Sequence, residues 1–233
     1  MVTLGSRDSG RAAAIGCRAH TGWAALVVVA GDVKRPEVLI RGRVELRDPA
    51  GRVRPNVHQA ARGLERAAAA ARIEAAERIA VEQAGAALDE TLREAAEEGA
   101  LVRLCAVVVG ASRETRLESI LASHALAHAA EGRLYQHALL RGAESRGLDA
   151  VAVPKRSIWG QGEAALGVAP DELRTWLDGL STANRVALGR GPEVGRAHGV
   201  DCARTFVLTG PRGVKDGSDG TRTRDLRRDR PAF

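Results

Sequence analysis

Aromatic residues make up only 3% of this 233-residue chain: three Trp, one Tyr and two Phe. A core of this size must therefore be assembled from Ala, Val, Leu and Ile. Because alanine fills little volume, its elements must pack closely. Lysine is almost missing too, occurring only as Lys34, Lys155 and Lys215. The formal charge of +6 is thus carried by arginine. The three cysteines, Cys17, Cys105 and Cys202, lie far apart with no Cys-x-x-Cys pair. That argues against a disulfide framework or a zinc knuckle. The longest charge-free apolar stretch, Ala19 to Gly31, is too short to span a bilayer. The first residues lack a basic start followed by an apolar run, so no signal peptide is expected and a cytoplasmic location is.

What is present is ordinary for a folded α/β protein: 45% hydrophobic and 27% charged residues. Arginine suits bidentate phosphate contacts. The arginines are spread along the chain, however, and a GC-rich codon bias accounts for them equally simply. Nucleic acid is a candidate partner on charge alone; a membrane is not.

The chain divides into a polar start (1–10), a folded domain (11–210) and a basic tail (211–233). Arg11–Arg18 is short with an apolar centre. Trp23–Ala30 is β-branched and apolar enough for a buried strand. Glu37–Arg47 alternates, with Val38, Ile40, Val44 and Leu46 on one face, the pattern of a strand with one wet side. Short turns join these three into an antiparallel meander. From Val57 to Glu98 the chain is rich in Ala, Glu and Arg, which predicts a long helix with a candidate break near Gly85. Leu101–Gly110 is a fourth strand reached by a right-handed crossover. Thr115–Arg146 is a second helix, and Ala150–Pro154 a fifth strand. Shorter helices follow at Ser157–Gly167 and Pro170–Leu180, and a last turn or two at Asp201–Leu208.

This order, a three-strand antiparallel meander followed by two parallel crossover strands with flanking helices, resembles the ribonuclease H-like superfamily. Ile15-Gly16 ending strand one, with Thr21-Gly22-Trp23 opening strand two, is similar to the pattern of Holliday-junction resolvases in that superfamily. Val107-Val108-Val109-Gly110 looks like its fourth strand leading into a turn. The resemblance implies carboxylates clustered around two divalent metals about 4 Å apart, one of them on the first strand. Strand one here reads Ala12-Ala13-Ala14-Ile15-Gly16-Cys17-Arg18, with no acid. Strand four also ends without one, Glu114 lying beyond Gly110. Asp201 is the match for the late-helix acid and Glu65 for the first-helix one. Two distant acids without the central one would not hold a metal pair, so the resemblance implies a domain without inherited nuclease chemistry. Binding or assembly is its expected role.

A second constellation lies on the predicted helix Thr115–Arg146. Leu117, Ile120, Leu121, His124, His128, Glu131, Tyr135 and Leu139 recur at helical spacing. His at i and i+4 lets two imidazoles reach one divalent metal, and Glu131 would complete the set or orient a ring. Position 125 is Ala where a metalloprotease carries its base. Three readings stay open: a buried polar network, a substrate or interface pocket, and a metal site that makes the chain an enzyme.

The tail has an unusual feature. Gly220-Thr221-Arg222-Thr223-Arg224-Asp225 is encodable by GGG ACT CGA ACC CGC GAC. The reverse complement contains GGTTCGAGTCCC, which resembles the TψC arm of transfer RNA genes. The tail therefore looks like a translation antisense to such a gene; the alternative is a basic nucleic-acid-binding arm. Its lack of apolar periodicity predicts disorder.

Overall fold

The computed structural model describes residues 10–31, 36–111, 115–158, 160 and 171. Five strands form one sheet: β1 (Arg11–His20), β2 (Trp23–Ala30), β3 (Glu37–Glu45), β4 (Ala100–Val109) and β5 (Asp149–Pro154). Their spatial order is β3-β2-β1-β4-β5. β1 and β3 flank β2 antiparallel, whereas β4 runs parallel to β1 and β5 parallel to β4. This is the expected meander followed by two crossovers, the arrangement of a ribonuclease H-like fold. Four helices make the crossovers: α1 (Val57–Ala61), α2 (Arg66–Glu97), α3 (Leu117–Ala122) and α4 (His124–Glu144).

Alternation splits the sheet into two faces. Ala13, Ile15 and Cys17 of β1, Ala24, Leu26 and Val28 of β2, and Cys105 and Val107 of β4 point to the helices and form the main core. The residues between them form two smaller buried clusters on the outer face: Ala25, Val27 and Val29, then Ala106, Val108, Val153 and Ile158.

The aromatic-poor composition is answered by close helix packing. α2 buries Ala69, Ile73, Ala76, Ala80, Ala84, Leu88, Thr91 and Ala95, a stripe of mostly small side chains. Against it α4 brings Gly142, whose backbone passes so near α2 that an added Cβ would lie 3.3 Å from the Cβ of Ala84 and the nitrogen of Gly85. Gly142→Leu is expected to force the helices apart and cost about 1–3 kcal/mol, the usual range for overpacking. A denaturation midpoint unchanged from wild type would contradict this close contact.

The long helix does break, but not at Gly85. The interruption lies at residues 62–65, where Gly63 adopts φ +84°, a conformation open to glycine. Glu65 then starts α2, its carboxylate accepting from the N–H groups of Ala67 (2.9 Å) and Ala68 (3.3 Å). Gly85 sits mid-helix because the Arg146 guanidinium crosses it to reach Asp89 at 2.5 and 2.7 Å. A Cβ there would come within 2.7 Å of that guanidinium. The second predicted helix is also two. Ser123, in extended conformation, ends α3, and its hydroxyl accepts from Leu126 N–H to begin α4.

Apart from Ser157, which closes a 3₁₀ turn begun at Lys155, and the single residues Ile158, Gly160 and Asp171, the expected late helices lie outside the described residues. So do Asp201, Glu114 and the tail. No helix among the described residues is long and apolar enough to cross a membrane.

Candidate functional site

The parallel strands β1, β4 and β5 all end on the same side of the sheet. The chain leaves β1 toward β2 and leaves β4 toward β5, so the carboxyl ends of β1 and β4 flank a topological switch point. That is the usual place for a ligand in such sheets. Backbone register fixes what stands there. Arg43 of β3 pairs with Ala25 of β2, Ala25 with Arg18 of β1, Arg18 with Val108 of β4, and Val108 with Val153 of β5. Directly paired residues share a face, so these five form one line across the outer face. The next line toward β1's amino end pairs Arg41 with Val27, Val27 with Gly16 and Gly16 with Ala106. Ala25 alone stands between Arg18 and Arg43, and Gly16 is the next residue of β1 on that face. Lys155 and Arg156, exposed, extend the positive charge beyond β5.

At the rim of this face His20 stacks on Trp23, the rings 4.0 Å apart and inclined by 5°. The Arg43 guanidinium lies 4.3 Å from the indole centroid. The indole thus has an imidazole and a guanidinium both within stacking distance. Glu45 holds Arg43 from the other direction at 2.8 Å.

No carboxylate occurs on β1 or in Leu101–Gly110. Glu65, the candidate from the first helical segment, is committed to capping α2. The acid cluster implied by the resemblance is therefore not assembled among the described residues.

His124, His128 and Glu131 all lie on α4, but they do not converge, because Glu131 is buried while both histidines are exposed. Glu131 is only 1% exposed. Its Oε1 accepts from Gln59 N–H of α1 at 3.0 Å, while its Oε2 lies 3.9 Å from His128 Nδ1. The His128 side chain is 75% exposed. His124 Nδ1 meets the Gln59 side-chain oxygen at 3.1 Å, and the Gln59 amide donates to the His124 carbonyl at 2.9 Å. Tyr135, also buried, donates its hydroxyl to the Pro55 carbonyl at 2.8 Å. These bonds tie α1 and its entry loop to α4. Burial pushes the Glu131 carboxyl above its ordinary value, opposed by the Gln59 N–H and the two histidines. Burial, helped by the Glu131 charge, holds the Tyr135 hydroxyl up at about 12. Among the described residues no three His, Cys, Asp or Glu side chains are grouped to hold a metal ion.

One member of this neighbourhood escapes sequence reasoning. His58, on α1, is only 5% exposed, and its Nδ1 is buried without a hydrogen-bond partner among the described residues. Burial is the main cause that lowers its pKa to about 4, and the Arg133 charge adds to it. A histidine heading an alanine-rich run carries no periodic signal of burial, because α1 is too short to show one.

No known family and no curated protein matches the chain. Among solved structures it is similar to Thermus thermophilus RuvC, at 16% identity and a TM-score of 0.43, over 84% of this chain and 92% of that one. It is equally similar, with the same identity and score, to T. thermophilus RuvC in complex with a Holliday junction substrate, over 86% and 99% of the two chains. At these values the fold assignment rests on the sheet's own strand order and register.

Proposed function

We propose that this chain is a ribonuclease H-like domain that binds nucleic acid and does not cleave it by paired-metal chemistry. The observation that carries the proposal is the outer-face register, which sets Arg18 and Arg43 two strands apart, about 10 Å, across the small Ala25. Arginines raised over a low floor suit a phosphate backbone, which a guanidinium meets with two parallel hydrogen bonds. The absence of acids from β1 and Leu101–Gly110 supports the non-cleaving half. The competing reading, a metal enzyme built on His124, His128 and Glu131, has against it the engagement of Gln59 and Glu131 in the α1–α4 joint.

The test is binding of a labelled single strand, a duplex and a four-way junction over a range of salt. Removing both guanidinium groups (Arg18→Ala with Arg43→Ala) is expected to reduce the slope of log affinity against log salt by about 1.4–1.8. A slope and affinity equal to wild type would overturn the assignment of this face. Cleavage that requires added magnesium or manganese, lost in Asp201→Asn, would overturn the non-cleaving half.

A further inference from the structure

Between the loop that follows β3 and helix α2 lies an open cleft of about 370 Å³. That volume is at the lower end of the range for small-molecule sites. Pro49, Val53 and Pro55 supply apolar lining, and Gln83 of α2 and the exposed Arg54 line it too. The loop is held in shape from within. The buried Asp48 carboxylate accepts from the N–H groups of Ala50 (3.1 Å), Arg52 (2.9 Å) and Val53 (3.1 Å), and pairs with the Arg52 guanidinium at 3.3 Å. The Arg52 side chain and these N–H groups keep the Asp48 carboxyl below the usual carboxylate range.

Two carboxylates face four guanidinium groups in and around the cleft, so it is net positive. Glu45 is shared by Arg43 (2.8 Å) and Arg47 (3.0 Å), and Asp48 is matched by Arg52. Arg54, exposed, makes no hydrogen bond or ion pair among the described residues, and neither does the Gln83 amide. The cleft thus offers a net positive charge, an Arg54 guanidinium with no ion-pair partner among the described residues, a free amide and apolar walls. A guanidinium favours a phosphate, a glutamine amide matches the donor and acceptor on the edge of adenine, and proline and valine accept a flat apolar ring.

We propose that this cleft binds an adenine mononucleotide, its phosphate on Arg54, its base edge on Gln83 and its ring against Pro49 and Pro55. The site meets the outer-face line only at Glu45, which holds Arg43, and does not depend on the nucleic-acid reading. Calorimetric titration of the full chain with AMP, adenosine and inorganic phosphate tests it. AMP is expected to bind about tenfold more tightly than either fragment, because only AMP engages both ends. Arg54→Ala should weaken AMP about tenfold and leave adenosine unchanged, whereas Gln83→Leu should weaken both. Arg54 is exposed and unbonded, so its replacement leaves the fold intact, which a matching melting temperature verifies. AMP binding no better than phosphate, no binding at all, or an Arg54→Ala variant that binds like wild type would each overturn the proposal. The titration contains no nucleic acid, so its failure and that of the outer-face reading are told apart.

Discussion

Replacing Glu131 by leucine should lower the stability of the domain by about 1.5–3 kcal/mol, the range for losing a hydrogen bond to a charged group. The side chain is almost wholly buried on α4, yet its bonded partner is on α1, at Gln59 N–H. Helix α1 has no local N-cap: Asn56 makes no side-chain capping bond. The first N–H groups of a helix need acceptors, and Glu131 provides one from 72 residues away. Leucine keeps the volume and removes the acceptor, leaving a donor unpaired in the interior. Glutamine keeps an acceptor oxygen and escapes the desolvation that raises the Glu131 carboxyl, so Glu131→Gln should stay within about 1 kcal/mol of wild type. For a chain of this size the leucine variant should melt roughly 3–12 °C lower. A leucine variant as stable as wild type would show that the carboxylate does not hold α1. Activity that vanishes in the glutamine variant without loss of stability would instead favour the enzyme reading of this face.

The strands were legible because their signals are local. β2 carries its β-branched apolar run, and β3 alternates between a core face and a charged one, whatever packs on them. The helices were harder to place because their ends are set by contacts between distant segments. Gly85 resembles a break in sequence, but its missing Cβ makes room for Arg146, just beyond the end of α4. The real break at Gly63 is followed by the cap at Glu65, a residue that the family resemblance offered as a catalytic acid. Likewise, the stripe from Leu117 to Leu139 assumes one continuous helix. The break at Ser123 puts Leu117, Ile120 and Leu121 on a separate helix, and within α4 His124 and His128 are exposed while Glu131 and Tyr135 stay inside. The arginine line on the outer face was hidden for a different reason. Its members lie on separate strands, and only the register brings them together. The cleft beside α2 depends on a loop folded about Asp48, and nothing in the spacing of its prolines announces it.

His58 gives the second large effect, a pH dependence. Its pKa lies near 4 in the folded chain against about 6.5 when unfolded. Above pH 6.5 both states leave the ring neutral and the difference contributes nothing. Between pH 6.5 and 4 the unfolded chain takes up a proton that the folded one refuses. Stability therefore falls as the pH falls, by up to about 1.4 kcal/mol per pH unit and about 3 kcal/mol in all. Glu131 acts in the opposite sense. Its raised carboxyl is a burden while ionised, and protonation on acidification relieves it. The wild-type curve carries both effects, so the His58 contribution is read from a variant. His58→Phe fills a similar volume without a titrating group. Urea unfolding of both proteins at pH 7, 6 and 5 should give wild-type stability dropping relative to the variant by about 1–2 kcal/mol over that interval. Parallel curves would mean that His58 gains a proton as readily in the fold as outside it. Its unpartnered Nδ1 would then have water or another acceptor within reach.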